Sequence, residues 1–443
     1  MAAEKARGVK MGAFARLQEP NLILVLALSI FAWAPLLTPG YFFEAHDAKH
    51  SVFFLVEFDQ TFRDGYWWPR WAPDFAFGYG YPLFNLYAPL AFYAAQMLHL
   101  FGLGFTTAIK TMYVLATLGG GVGMYYFARR LYGSTAGVLA AVVYMYVPFH
   151  LVEIYVRSAY AEFISLALIP FLFLAFTELI ARPNRHRLAL AGLAYGLLAL
   201  THHTSFFTFS PFLMVYLLYL ILAKAKFNLK ALMTHGLYAA AAGLLGLALA
   251  AIYLLPVIVE TRYIKVEQWT SGSYNYLQHF VYFSQLFEEN WGYGYAGPGT
   301  LDDFSYQLGV VVVVLLIFAF VTSLRARYPH RATTFFFLVS TLIIVLLMSP
   351  LAQPVWQIIP IASLVQFPWR LLAVTAFTMS IAAGALGNEQ LMNNEQLTMN
   401  NEQIFSPSTP PTLHPSNPPP LHPSTPPSPP PPLPPPPPPP PPP

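Results

Sequence analysis

Cysteine is absent from this chain of 443 residues, and charged residues make up only 10% of it. The lack of cysteine excludes disulfides, thiolate catalysis and cysteine-ligated zinc or iron–sulfur sites. A soluble domain carries about 25% charged residues, so this chain cannot cover a water-facing surface. The formal charge of +3 is too small to indicate a nucleic-acid partner. The composition therefore excludes a soluble enzyme and a secreted disulfide scaffold.

Long apolar runs take the place of the missing charge, and 56% of the residues are apolar. A membrane-spanning helix needs about 20 mostly apolar residues. Ten runs of that kind lie at roughly 21–38, 109–128, 134–150, 163–181, 188–206, 207–223, 236–258, 306–324, 333–349 and 369–387. With an ambiguous eleventh run at 83–103, the sequence predicts an all-α, polytopic transmembrane helical bundle of about 10–11 spans.

The distribution of basic residues predicts the orientation in the membrane. If 83–103 does not span and residues 1–19 are cytoplasmic, 15 of the 23 basic residues face the inside. If 83–103 does span, only 9 do, against the positive-inside rule. We therefore predict an interfacial or re-entrant 83–103 and a multi-pass protein of the cell membrane with a transmembrane domain at 20–387. Its two long loops, 39–82 (the first loop) and 259–305 (the second loop), then face outward.

The tail at 388–443 has a different composition. It opens on a repeated Asn-Glu-Gln motif, holds 24 of the 42 prolines after residue 405, and ends in ten consecutive prolines. Such a segment has no side chains for a core and is predicted to be disordered or extended polyproline II. We interpret it as a frameshift or repeat artefact that replaces the true C-terminal part. The alternative is a ligand for SH3-like or WW-like domains.

The first loop begins with a cluster of groups that can bind metals or accept protons: Glu44, His46, Asp47 and His50. On a helix, His46 and His50 share one face at the i,i+4 spacing. A carboxylate and imidazoles in this arrangement suit a divalent cation or a general base. His46, Asp47 and His50 are thus candidate metal ligands, and a divalent metal ion is the one cofactor that the sequence suggests. A hydrogen-bonded helix start at the membrane surface is the alternative.

Aromatic residues crowd the same loop around Arg70, at Trp67, Trp68, Trp71 and Phe75. Aromatic residues gather at bilayer interfaces, which accounts for most of them. They could also form a platform for a sugar or a prenyl chain, with Arg70 against a phosphate.

Three further stretches carry polar groups at predicted helix ends. Glu162 stands at the top of a span, where an acid is unfavourable unless it is paired or functional, and Arg157 is its nearest candidate partner. His202 and His203, at the turn between two spans, are either ligands or helix caps. Arg370 either reaches toward the lipid headgroups or clamps the phosphate of a lipid carrier.

The chain resembles an uncharacterised bacterial family of polytopic membrane proteins, labelled membrane protein 6-pyruvoyl-tetrahydropterin synthase-related. The resemblance covers about residues 20–387. It rests on the motifs HDAKH, PRWAPDFAFGYGYPLFNLYAPLAFY, ARRLYG, RSAYAEF and QFPWRLLA. Nothing in these residues supports pterin chemistry.

The layout is similar to that of the GT-C glycosyltransferases, which take a sugar from a polyprenyl-phosphate carrier. The similarity implies that Asp47 is the essential acid of the first loop, acting as base or metal ligand. It also implies that Glu162 is the acid of the short outer loop that contains Arg157, and that Arg370 contacts the carrier phosphate. That family has two acidic residues separated by a single residue at this place. Here the two acids are Glu44 and Asp47, which are separated by two residues, so the sequence departs from the family pattern.

From the residues and the resemblance together, we expect an integral membrane glycosyltransferase of the cell envelope. It would use a polyprenyl-phosphate sugar donor, with membrane lipid and no nucleic acid as partners. The predicted catalytic residues are Asp47 and Glu162, and the predicted substrate contacts are His46, Arg70, Arg157 and Arg370. The alternatives are a transporter or flippase of lipid-linked saccharides, or an inactive truncated fragment.

Overall fold

The computed structural model describes residues 19–325, 328 and 330–388, without the side chains of 360–362. Within these ranges no β-strand forms, and one isolated antiparallel bridge joins Ala72 and Tyr81. The α-helices are α1 Pro20–Leu28, α2 Ile30–Trp33, α3 Ala48–Arg63, α4 Leu83–Leu86, α5 Leu90–Leu100, α6 Phe105–Tyr132, α7 Ser134–Tyr146, α8 Pro148–Tyr155, α9 Tyr160–Ala181, α10 Arg185–Thr201, α11 His203–Ala225, α12 Leu229–Glu260, α13 Val310–Ser323, α14 Arg331–Met348, α15 Gln353–Ile358 and α16 Leu372–Gly384. Except for Asn388, the predicted tail lies outside the described residues.

Short 3₁₀ turns fill much of the connecting chain. Those used below are Val266–Trp269 in the second loop and Pro360–Val365 and Pro368–Leu371 before α16.

In the part of the chain that the structure describes, six segments are long and apolar enough to cross a membrane: Pro20–Leu37, Tyr160–Ala181, His203–Ala225, Leu229–Tyr263, Arg331–Met348 and Pro368–Gly387. Two helix pairs, α5–α6 and α7–α8, pass the same test jointly but are bent by 120° and 42°. The protein is therefore a multi-pass membrane protein. The other two predicted spans correspond to α10, with 17 residues, and α13, with 14. Whether these two helices also cross stays a prediction.

The ambiguous run at 83–103 forms two short helices rather than one long one. α5 has 11 residues, which corresponds to a length of about 16 Å at 1.5 Å per residue. The hydrocarbon core is about 30 Å thick, so α5 does not cross it alone. The 120° bend gives α5 a direction very different from that of α6.

The centre of the bundle is α16, whose thirteen residues are all buried. The ring centroid of Phe377 lies 5.7 Å from that of Phe127 on α6 and 4.5 Å from that of Phe173 on α9. Small residues make this position possible. A Cβ atom on Gly384 would lie 2.8 Å from Cβ of Ala140 on α7, closer than side chains normally pack. Small residues at helix contacts let backbones approach where no hydrophobic effect drives the helices together.

A second close approach joins α10 to α12 through glycines on both helices. A Cβ atom on Gly246 would lie 2.8 Å from the carbonyl oxygen of Gly192, and one on Gly196 would lie 3.0 Å from that of Gly246. No larger residue fits between these backbones. Gly243, on the same helix, would meet nothing within 4 Å.

Gly246→Leu should therefore force α10 and α12 apart and destabilise the protein by about 1–3 kcal/mol, the usual result of overpacking. The measurement is thermal unfolding of the purified protein in detergent. Gly243→Leu is the matched control, with the same change on the open side of α12. Equal unfolding temperatures for the two variants would contradict the close helix contact.

Candidate functional site

The first loop is joined to the short loop 156–159 by backbone hydrogen bonds. The N–H of His46 donates to the carbonyl of Val156 at 3.0 Å, and that of Asp47 donates to the carbonyl of Arg157 at 2.7 Å. Asp47 is the N-cap residue of α3, yet its side chain makes no capping bond. Its carboxylate, 48% exposed, is therefore free for other contacts.

His50 is the side-chain partner of Asp47. Nδ1 of His50 lies 3.6 Å from Oδ1 of Asp47. A hydrogen bond to Asp47 raises the pKa of His50 from its ordinary value, against a smaller opposing effect of burial. The pair thus places a carboxylate and an imidazole at the start of α3, as the sequence predicts.

The loop 156–159 carries a buried ion cluster. Nη1 of Arg157 donates to Oε1 of Glu153 and, at 2.9 Å, to Oε2 of Glu162. The side chains of Arg157, Glu153 and Glu162 are only 7%, 0% and 5% exposed. The guanidinium also lies over the ring of Trp369, 4.7 Å from its centroid. The predicted pairing of Arg157 with Glu162 is present, and Glu153 is a second acid in the same cluster.

Ser158 gives this loop its unusual shape. Its φ of 51° lies in the left-handed region, which a serine adopts only under constraint. The hydroxyl groups of Tyr41 and Tyr113 lie 3.3 and 3.1 Å from its Oγ, and Ser51 Oγ donates to its carbonyl. These contacts from three other segments fix the loop that carries Arg157.

Arg370 is held in the turn before α16. Its Nη1 donates to the carbonyl of Val365 and to Oε1 of Gln366, both at 2.9 Å, whereas its buried Nε has no partner in the described part of the chain. Gln366 in turn donates from Nε2 to the carbonyl of Trp269, 2.9 Å away. Gln366 has a φ of 66°, so the backbone is constrained at this link between Arg370 and the second loop.

These elements enclose a cavity of about 620 Å³. Its polar lining includes Asp47, Arg157, Glu162, His202, His203 and Arg370. Apolar side chains such as Phe54, Phe92, Tyr253, Val257 and Ile258 line the rest. The structure thus brings five of the predicted site residues, Asp47, His50, Arg157, Glu162 and Arg370, to one amphipathic cavity.

His46 does not line this cavity. Its Nε2 lies 3.0 Å from the carbonyl oxygen of Tyr293, and its ring stacks on that of Tyr295 with a centroid distance of 4.2 Å. The structure thus ties His46 to the second loop and does not join it to Asp47 and His50 as a metal site. In residues 19–325, 328 and 330–388, no group of three carboxylate or imidazole side chains is placed to hold a metal ion.

Arg70 also lies outside the cavity lining. Its Nη2 donates to Oε1 of Glu260 at 2.6 Å, and its Nε donates to Asn85, which itself donates to the other oxygen of Glu260 at 2.7 Å. The triad ties the first loop and α4 to the end of α12. Its carboxylate, that of Glu260, is 190 residues away from Arg70 in sequence, so local spacing could not reveal it.

Sequence reasoning left His202 and His203 as either ligands or caps, and the structure shows that His202 is a cap. Nδ1 of His202 accepts a hydrogen bond from the backbone N–H of Ser205, at the start of α11. Both histidines nevertheless line the cavity. Sequence reasoning did not identify Gln366 as the residue that connects Arg370 to the second loop. Its only signal in the sequence is its position four residues before Arg370.

Removal of the central charge tests the ion cluster. Arg157→Gln leaves two carboxylates buried without a counter-charge, and we expect a loss of about 3–5 kcal/mol in the free energy of unfolding. Arg130→Gln is the control, because Arg130 pairs with Glu178 while its side chain is 45% exposed. Such a surface pair contributes about 0–1 kcal/mol. Similar thermal unfolding of both variants in detergent would show that the buried cluster is not needed for stability.

A family model described as 6-pyruvoyl-tetrahydropterin synthase related domain, membrane protein, matches residues 84–399, which is most of the chain. Among curated proteins, an uncharacterized protein of Lactococcus lactis subsp. cremoris (strain MG1363) is 23% identical over 378 residues. The match covers 82% of this chain and 56% of that protein. The chain therefore spans little more than half the length of this relative.

Among solved structures, the oligosaccharyltransferase of Archaeoglobus fulgidus, tethered with an acceptor peptide, is 12% identical with a TM-score of 0.50. The match covers 88% of this chain and 51% of that one. ArnT from Cupriavidus metallidurans, bound to undecaprenyl phosphate, is 14% identical over 88% of this chain and 81% of that chain, with a TM-score of 0.41. The predicted fold class is confirmed: the chain is a helical membrane protein with a GT-C-like fold.

Proposed function

Because the chain belongs to the 6-pyruvoyl-tetrahydropterin synthase related family of membrane proteins and has a GT-C-like fold, we propose that it is a glycosyltransferase. Its donor is a sugar on a polyprenyl-phosphate carrier. The observation that carries the proposal is the presence of Asp47 and Arg370 in the lining of one cavity.

The chemistry follows from these two groups. Asp47 accepts the proton of an acceptor hydroxyl, whose oxygen attacks the anomeric carbon of the sugar. The bond from that carbon to the phosphate oxygen breaks, and the phosphate leaves with the electron pair. Arg370, with its unpartnered Nε, stabilises the charge on the phosphate. Asp47 suits the role of base because no capping bond occupies its carboxylate.

Glu162 and Arg157 line the cavity as an ion pair. Since Oε2 of Glu162 accepts from Arg157 at 2.9 Å, we assign Glu162 to holding Arg157 and shaping the site near the substrate. Arg157 is shared between two carboxylates, so Arg370 is the better candidate for the carrier phosphate.

The apolar half of the cavity supports a lipid-linked donor. Tyr253, Val257 and Ile258 come from the last turns of α12, a spanning helix whose most apolar window is only 22% buried. A prenyl chain can lie along this side while its phosphate reaches the polar end. A soluble nucleotide sugar has no apolar chain that could pack against this side of the cavity.

We place the cavity on the outer side of the membrane, with residues 1–19 in the cytoplasm, because the basic residues are distributed that way. The carrier's head group would then reach the site after it has been flipped across the membrane.

Binding of the carrier can be tested without knowledge of the sugar. A polyprenyl monophosphate at 100 times its dissociation constant should stabilise the purified protein by about 2.7 kcal/mol. We expect Arg370→Ala to lose this stabilisation, because the phosphate loses its cation. Arg262→Ala, a change of an exposed arginine in the second loop, should retain it. The absence of any thermal shift in the wild-type protein would count against a carrier site.

Catalysis is tested in a strain of the source organism that lacks the gene. Asp47→Asn should not restore sugar transfer, because loss of a general base lowers the rate by about 10²–10⁴. Mass spectrometry of prenyl-phosphate-linked sugars should show that the donor accumulates, as it does without the gene. Glu44→Gln, an exposed change in the same loop, should restore the wild-type pattern.

Full restoration by Asp47→Asn would contradict the transferase proposal. If the protein moved lipid-linked sugars between leaflets, and still did so after Asp47→Asn, it would instead be a flippase.

A further inference from the structure

His202 occupies the break between α10 and α11. It is a buried polar group with no role in the reaction proposed for Asp47 and Arg370. Its backbone is extended, with φ −156° and ψ 117°, so one helix ends and the next begins around it. The residue is 5% exposed and lines the 620 Å³ cavity together with Arg370.

The capping bond fixes which nitrogen of His202 carries the proton. The backbone N–H of Ser205 donates to Nδ1 at 3.3 Å, so Nδ1 has no proton. A neutral imidazole with an accepting Nδ1 must carry its hydrogen on Nε2. The hydroxyl of Ser205, 2.8 Å from Nδ1, can donate its own proton to the same nitrogen.

In the described part of the chain the side-chain hydrogen bonds of His202 are made by Nδ1, so its Nε2–H group is a donor without a partner there. A donor in this position suits an oxygen that only accepts hydrogen bonds. Phosphate oxygens are of that kind, and bonds to charged oxygens are stronger than bonds to neutral ones. Arg370, whose Nε has no partner in the described part of the chain, lines the same cavity and favours an anion there.

We propose that the Nε2–H of His202 donates a hydrogen bond to the phosphate of the lipid carrier. The inference rests on the proposed function. In the transfer step, the acceptor oxygen bonds to the anomeric carbon, the carbon–oxygen bond to phosphate breaks, and the electron pair stays on phosphate. His202 keeps its proton throughout and stabilises the departing oxygen, while the proton of the acceptor goes to Asp47.

Two variants separate the capping role of His202 from the ligand contact. Asn and Ser are both favourable N-cap residues, so His202→Asn and His202→Ser keep an acceptor for the N–H of Ser205. Both lack the Nε2–H donor. His202→Ala removes the cap as well and should lower the unfolding temperature. The Asn and Ser variants should restore it.

The measurement is the dissociation constant of the purified protein for a polyprenyl monophosphate and for the polyprenol of the same length. We expect both capping variants to bind the phosphate about tenfold more weakly and the alcohol as tightly as wild type. His186→Asn, an exposed change near the start of α10, should bind both as wild type does. Each constant is measured below the unfolding temperature of the variant.

Unchanged binding of the phosphate by His202→Asn and His202→Ser would overturn the inference. An equal loss for phosphate and alcohol would also overturn it, because the contact would then not be to the phosphate. If the wild-type protein does not bind the phosphate, the proposed function fails with it. If wild type binds and the capping variants bind equally, only the role of His202 fails.

Discussion

The site depends on the buried pairing of one guanidinium with two carboxylates. Glu153 and Glu162 lie near the ends of adjoining helices, where an unpaired charge would be strongly unfavourable, and Arg157 pairs with both from the loop between them. The same loop accepts backbone hydrogen bonds from His46 and Asp47. The loop that carries the charge cluster therefore connects α8 to α9 and also positions the carboxylate of Asp47.

Breaks in helices converge on the cavity. The loop 156–159, the extended residue His202 and the turn that holds Arg370 all interrupt helical backbone, and residues at each break line the cavity. Irregular backbone within a membrane protein is tolerated where protein or a cavity, rather than lipid, surrounds it. At each break a cap, an ion pair or a hydrogen bond holds the side chain that lines the cavity in place.

The second loop makes polar contacts with the first loop and with the turn before α16. Glu260 binds Arg70, the carbonyl of Trp269 accepts from Gln366, and the carbonyl of Tyr293 meets His46. None of these partners is within 90 residues of the other in sequence. These contacts explain the positions of His46 and Arg70, which the sequence analysis predicts as substrate contacts. Both residues join the first loop to the second loop and lie outside the cavity lining.

The sequence by itself determined the multi-pass helical architecture, because apolar runs of about 20 residues have few alternatives in water or in lipid. It also indicated Asp47, Glu162 and Arg370 as candidate site residues, because charged side chains at helix ends in an apolar chain are unfavourable unless they are paired or functional. Only the tertiary structure decided which of these charges meet. Arg157 pairs with Glu153 as well as with Glu162. Arg70 pairs with Glu260 outside the cavity lining. His202 lines the cavity and also caps α11. Such contacts depend on helix crossings and loop closure between distant segments, and local spacing does not record them.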